Sequence, residues 1–149
     1  MSILVAGGAG YIGAHVVRLL LQRGDEVIVV DDLSYGTPER VTGAALVELD
    51  VASGGAVDAL TDVMNQRGVS AVIHFAARKQ VGESVARPAW YYQQNVGGLA
   101  NMLLAMEGAG VEQMIFSSSA AVYGMPPIEV VPEDTECRPI NPYGETKLI

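Results

Sequence analysis

This chain has little with which to cross-link itself, grip a polyanion or enter a bilayer. Its 149 residues include one cysteine, Cys137, so no internal disulfide can form. Such thiol poverty suits a reducing, cytoplasmic setting, and Cys137 reads as a bystander in a loop. Basic residues are scarce, with 9 Lys and Arg against 17 Asp and Glu, a formal net charge of -8 and a pI near 4.6. The basic residues form no run, which argues against nucleic acid or an anionic membrane as partner. An anionic ligand must instead be held by backbone amides and one or two placed cations. No apolar run approaches the ~20 residues of a membrane span. The N-terminus lacks the basic region of a signal peptide and enters the fold at once. There is no repeat, low-complexity tract or linker, and no metal is expected. With 50% hydrophobic and 17% charged residues, the composition is that of one globular domain with a real core.

What the chain does have is glycine at its start. A short apolar strand, Ser2 to Ala6, runs into Gly7, Gly8, Gly10 and Gly13, and then into an amphipathic helix carrying Ile12, Val16, Leu19, Leu20 and Arg23. Glycines allow positive φ and close approach to backbone. The first amides of a helix are unpaired donors at the positive end of its dipole. A strand, a glycine turn and a helix in that order therefore suit a pyrophosphate. A tight turn without a ligand is the alternative.

The rest of the chain alternates strand and helix. Glu26 to Val30 is a continuous β-branched run, the pattern of a strand buried on both faces of a parallel sheet. Ala45 to Leu49, Ala71 to Phe75 and Gln113 to Phe116 are further strands. Helices are expected over 54 to 67, capped by Ser53, and over a long stretch from Ala89 to Met106. Gly97 and Gly98 weaken that second helix by about 1 kcal/mol each, so something must lie close to them. Residues 76 to 88 read as a loop. This pattern predicts an α/β fold, a doubly wound parallel sheet of Rossmann type with strand order 3-2-1-4-5. Ligands in such sheets sit at the carboxyl ends of the strands. Those ends carry Gly7, Asp31-Asp32, Asp50-Val51, Phe75-Ala76-Ala77 and Ser117 to Ser119.

Asp31 follows the glycine turn at about the spacing at which an acid accepts hydrogen bonds from a ribose diol and repels a 2′-phosphate. Asp32 strengthens the repulsion, and no arginine neighbours them in sequence, so NAD is expected rather than NADP. Asp50 and Val51 could hold the amino edge and the face of an adenine. His74, inside an apolar strand, reads as a core histidine, and His15 as chemically idle. Trp90, Tyr91 and Tyr92 read as core or interface, and Asn95 as a relay or a cap for a neighbouring loop.

The sharpest constellation is Asn141 to Lys147, sequence NPYGETK. Asn is a strong N-cap and Pro is favoured at the first helical position. Tyr143 and Lys147 then share a helix face. A free tyrosine titrates near pH 10 and is a poor base at neutral pH. An ammonium about 4 Å away is worth about 4 kcal/mol at an effective dielectric near 20, enough to make a tyrosine a competent base.

With these residues in place, the chain resembles the extended short-chain dehydrogenase/reductase family. The matching stretches are GGAGYIG at 7–13, DDLSYG at 31–36, HFAARKQVGES at 74–84, YYQQNVGG at 91–98, FSSSAAVYG at 116–124 and NPYGETK at 141–147. The resemblance implies NAD held by Gly7, Gly10, Tyr11, Ile12, Gly13, Asp31, Asp32, Ser34, Gly36, Asp50, Val51, Phe75, Ala76, Ala77, Lys79, Asn95, Tyr143 and Lys147. It implies a catalytic Ser119, Tyr143 and Lys147, with Asn95 in a supporting network and Lys79, Ser119 and Tyr143 facing the substrate. The implied reaction is NAD-dependent 4-epimerisation of a UDP-hexose, by transient oxidation at the sugar C4. Related dehydratases carry an Asp-Glu pair before the VYG tripeptide. Ala120-Ala121 stands there in this chain, which leaves an elimination without its acid and base. Epimerases or reductases for other nucleotide sugars stay open, as does a non-catalytic NAD-binding module.

The family continues for about as long again beyond the lysine and is homodimeric. Residues 1–149 are therefore expected to form an incomplete NAD-binding domain lacking its substrate domain, with low activity or none.

Overall fold

The computed structural model describes all residues from Met1 to Ile149. The chain divides into two compact units, Met1–Ala77 with Gly98–Ser117, and Arg78–Gly97 with Ser118–Ile149.

The first unit is built on five parallel strands, β1 (Ser2–Ala6), β2 (Glu26–Asp31), β3 (Ala45–Glu48), β4 (Ala71–His74) and β5 (Gln113–Phe116). They lie in the order β3-β2-β1-β4-β5, as the alternating pattern predicts. In the central register Leu4 stands opposite both Ile28 and Val72. Because side chains alternate across a strand, each strand supplies two cores. Leu4, Ala6, Ile28, Val30 and Val72 face one way. There they meet Leu60 and Met64 of α2 (Ala56–Gln66) and Met102, Ala105 and Met106 of α5 (Gly98–Ala109). Ile3, Val5, Val27, Val29 and Ile73 face the other way, against Val17 and Leu20 of α1 (Tyr11–Arg23) and Val41 of a short 3-10 helix, Pro38–Val41. Fully burying a side chain of this size is worth about 1.5–3 kcal/mol. His74 belongs to this interior, 1% exposed and stacked on Phe116 at 6.1 Å.

The second unit contains α3 (Val81–Ala86), α4 (Pro88–Tyr91), a π-helical segment Tyr92–Gly97, a 3-10 helix Ala120–Tyr123 and α6 (Pro142–Leu148). Here α6 packs on α3, α4, the π segment and the 3-10 helix.

Several expectations need correction. Ser53 does not cap α2. Its carbonyl accepts from Ala56 N at 3.2 Å, so it closes the turn before the helix, and Gly55 is the cap residue with no side chain to offer. The stretch read as a loop contains α3, whose Gln80 carbonyl accepts from Ser84 N. The long helix starts at Pro88, widens into π geometry at Tyr92 and ends beyond Gly108 at Ala109. Of the paired glycines, Gly98 does lie against a neighbour, since a Cβ there would sit 3.0 Å from Val51 Cγ2. Gly97 meets nothing closer than 4.0 Å. No helix is long and apolar enough to cross a membrane.

Candidate active site

The glycine turn closes on itself. Gly7 has φ +76°, and a Cβ there would sit 2.6 Å from Ala76 N. Phe75 and Ala76 are brought there by their own amides, which both donate to Ala6 O. A Cβ on Gly13 would collide with Gly7 O. The turn is therefore as thin as a backbone can be, and it delivers Gly10 in extended conformation as the cap of α1. No side chain caps that end, and no acid stands in its first turn. Such an end keeps free amides and a positive pole, and a phosphate-sized anion fits it. Tyr11 and Ile12, at the start of α1, are 72% and 59% exposed.

Asp31, at the end of β2, is 8% exposed and already employed. Its Oδ2 accepts from Ala9 N and its Oδ1 from Leu33 N, each at 2.9 Å. The carboxylate thus ties the glycine turn to the loop after β2. Two amide donors leave about two of its four lone-pair sites for a diol. Asp32 turns to its own loop, accepting from Ser34 N and Ser34 Oγ at 3.0 and 2.6 Å. Gly36 lies against Ala9, since a Cβ there would sit 2.7 Å from Ala9 Cβ. The 3-10 helix brings Arg40 back to Ala9 O, 3.5 Å from Nη1. After β3, Asp50 Oδ1 accepts from Ala52 N, and Val51 is a core residue whose carbonyl accepts from Asn101 Nδ2. Ala77 closes the first segment of this unit, half-buried.

In the second unit Asn141 caps α6 as expected, accepting from Gly144 N at 2.8 Å, with Pro142 in the first turn. Lys147 is 6% exposed, and burial pushes its ammonium down to about 8. Tyr143 is half-buried one turn earlier on the same helix. Gly144 allows this helix to approach the 3-10 turn, because a Cβ there would sit 2.6 Å from Ala121 O. Ser119 caps that turn, its Oγ accepting from Ala121 N at 3.2 Å. The acceptor role leaves its O–H available to donate. The Ser119 turn and the Tyr143–Lys147 helix are thus packed together, and Ser118 Oγ adds a bond to Lys147 O at 3.0 Å.

Asn95 sits in the π segment, 4% exposed. Its Oδ1 accepts from Arg78 N at 2.7 Å, and its Nδ2 donates to Arg78 O and to Thr146 Oγ1. These bonds tie the backbone of Arg78 and the side chain of Thr146 to the π segment. Tyr92, from the same segment, donates to Glu145 Oε2 at 2.6 Å. That hydrogen bond holds the Tyr92 phenol above its ordinary pKa. Tyr91 is fully buried, its hydroxyl accepting from Gln80 N. The guanidinium groups of Arg87 and Arg78 lie over the Trp90 ring, at 3.9 and 5.3 Å from its centroid. Lys79 is exposed. The sequence reading missed Thr146 and Glu145 as partners of the π segment. The available signal was the polar pair Glu145-Thr146 inside NPYGETK.

A parallel sheet whose first strand opens into a glycine turn and whose second ends in an acid is a dinucleotide-binding architecture. The sequence profile of the NAD dependent epimerase/dehydratase family matches residues 3–149, and this chain belongs to that family. It is 45% identical over 157 residues to UDP-glucose 4-epimerase of Bacillus subtilis (strain 168), covering 100% of this chain and 45% of that protein. It is 45% identical over 157 residues to UDP-glucose 4-epimerase 3 of Oryza sativa subsp. japonica, covering 99% and 42%. The crystal structure of UDP-glucose 4-epimerase from Brucella ovis in complex with NAD superposes with a TM-score of 0.93 at 44% identity, covering 99% of this chain and 44% of that one. The chain therefore spans less than half the length of these relatives.

Proposed function

We propose that this chain supplies the NAD-binding and proton-transferring part of a UDP-hexose 4-epimerase acting between UDP-glucose and UDP-galactose. The observation that carries this reading is the α6 helix, where a buried Lys147 held near pKa 8 lies one turn from Tyr143. The relatives named above are UDP-glucose 4-epimerases, and one of their structures contains NAD. Gly7, Gly10 and Gly13 provide the thin turn and uncapped helix end for the pyrophosphate. Asp31 keeps acceptor capacity for the adenosine ribose, and Asp50 and Val51 stand at the end of β3 for the base. Lys79, Asn95 and Lys147 are the further residues assigned to the cofactor. NAD, when bound, supplies the acceptor and donor of hydride for the sugar C4.

Every other step falls to side chains of the second unit. Tyr143 takes the proton of the sugar 4-hydroxyl and returns it when the opposite configuration forms. Lys147, whose ammonium burial brings down to about 8, stands one turn from Tyr143 and holds the cofactor ribose. Ser119 directs its O–H to the reacting oxygen. The Ala120–Tyr123 turn offers no carboxyl for an elimination, so epimerisation is favoured over dehydration.

The test has two readouts on the purified protein. Native mass spectrometry should show the added mass of NAD, and a coupled assay should detect UDP-glucose formed from UDP-galactose. Tyr143→Phe should retain NAD and lose turnover by orders of magnitude. Near-normal turnover in that variant would remove Tyr143 as the base. NAD retained with no turnover in the parent chain would support a nucleotide-binding module instead.

A further inference from the structure

Lys79 stands in a stretch that its own sequence does little to shape. Residues 75 to 80 form no helix or strand, and Ala76 to Gln80 holds no glycine or proline to fix a turn. The backbone on either side of the lysine is held by side chains instead. Before it, Asn95 Oδ1 accepts from Arg78 N at 2.7 Å, and Asn95 Nδ2 donates to Arg78 O at 3.0 Å. After it, the Tyr91 hydroxyl accepts from Gln80 N at 2.9 Å and stands 2.9 Å from Gln80 O. Arg78 and Gln80 are thus each gripped at both backbone poles. One grip comes from the end of α4 and the other from the π segment that continues it.

The Tyr91 ring is fully buried, in edge contact with Trp90 at 5.7 Å. A buried phenol needs a partner for its hydroxyl. Besides Gln80, Glu83 Oε2 of α3 lies 3.0 Å away, and the single O–H donates to one of these oxygens at a time. Gln80 O also accepts from Ser84 N, a bond that opens α3. The hydroxyl therefore joins the Lys79 loop and the start of α3 to the helix that carries Tyr91. Lys79 itself is left exposed between the two grips. An ordered backbone beneath an exposed ammonium is preorganised, because less freedom is lost when an anion binds.

Tyr91 has no place among the residues assigned to NAD or to proton transfer. Resting on the assignment of Lys79 to the cofactor, we propose that Tyr91 is a positioning residue for Lys79. Its hydroxyl fixes Gln80, so that the lysine meets the anionic dinucleotide from a backbone already in place.

The experiment measures Kd for NAD by calorimetry in the parent protein, Tyr91→Phe, Lys79→Ala and the double variant. Tyr91→Phe keeps the buried ring and should weaken binding about fivefold. Lys79→Ala should weaken it about tenfold, and the double variant should be no weaker than Lys79→Ala alone. Losses that multiply in the double variant would overturn the proposal and leave Tyr91 a strut of the fold. Unchanged affinity in Tyr91→Phe would overturn it while leaving the cofactor reading intact. Unchanged affinity in Lys79→Ala would overturn the assignment of Lys79 and this inference with it, as would a parent protein that binds no NAD. A second measurement needs no variant, and so serves if Tyr91→Phe does not fold. The NMR order parameter of the Lys79 amide in the parent protein should be about 0.85 before NAD is added and stay there at saturation. A value below about 0.6 that rises on adding NAD would overturn the proposal.

Discussion

Asn95 reaches the backbone of Tyr143 through a single hydroxyl, that of Thr146. Asn95 Nδ2 donates to Thr146 Oγ1 at 2.9 Å, and that oxygen donates to Tyr143 O at 2.8 Å. With Arg78 at the other end of the amide, the network runs from the start of the second unit to the turn that carries the candidate base.

The first prediction cuts this network at its middle. Thr146→Val keeps the shape and removes the hydroxyl, leaving a buried amide donor unpaired at a cost of about 1–3 kcal/mol. Thr146→Ser restores the hydroxyl and should recover most of the loss. Urea unfolding midpoints compare the three proteins, and equal midpoints for valine and parent would show that the bond carries no weight.

A second prediction concerns the approach of α6 to the 3-10 turn. Gly144→Ala would place a methyl 2.6 Å from Ala121 O and 3.0 Å from Pro139 Cβ. Overpacking of this kind costs about 1–3 kcal/mol, and turnover should fall with it because Ser119 and Tyr143 ride on the two displaced elements. Gly82→Ala in α3 meets nothing within 4 Å and is the control. Thermal denaturation of both variants checks the difference.

The third prediction is a pH dependence. Lys147 has a folded-state pKa near 8 against an ordinary value of 10.5, because burial disfavours its charge. Between those limits the unfolded chain binds more protons, so this group's contribution to stability rises with pH. Its cost is fully present below about pH 8, on the order of 3 kcal/mol at 1.36 kcal/mol per pH unit. Lys147→Met, without nucleotide, should therefore be the more stable protein at pH 7, and its advantage should shrink as pH rises from 8 to 10.5. Parallel stability curves would contradict this account of Lys147.

The fourth separates the two neighbouring acids. Asp31→Asn can accept from one of the amides of Ala9 and Leu33 but sets an NH2 against the other. It should lower stability by about 1–3 kcal/mol even without a ligand. Asp32→Asn keeps an oxygen for Ser34 and should leave stability within about 0.5 kcal/mol of the parent. Denaturation in nucleotide-free buffer decides, and equal losses would deny Asp31 its structural bond.

Much of the first unit was legible because its signals are local. A run such as EVIVV fits only a strand covered on both faces, and in the second unit Asn-Pro before Tyr143 likewise carries its own cap. The parts that were not legible depend on distant partners or weak local preference. Short α3, with Gly82 and Ser84 inside it, has little intrinsic helicity. It is held by tertiary bonds such as that of Tyr91 to Gln80. The π segment left only a trace, the Gly97-Gly98 pair, since hydrophobic spacing does not distinguish a wide turn from an α turn. Arg40 is far from Ala9 in sequence, and only the return of the 3-10 helix joins them.

Ala9 has a consequence that reaches beyond affinity. Its amide proton is held by the buried carboxylate of Asp31, so that proton can exchange with solvent only when the glycine turn parts from the end of β2. Followed in deuterium oxide, this one resonance would clock the opening of the glycine turn, with no ligand or turnover needed to see it.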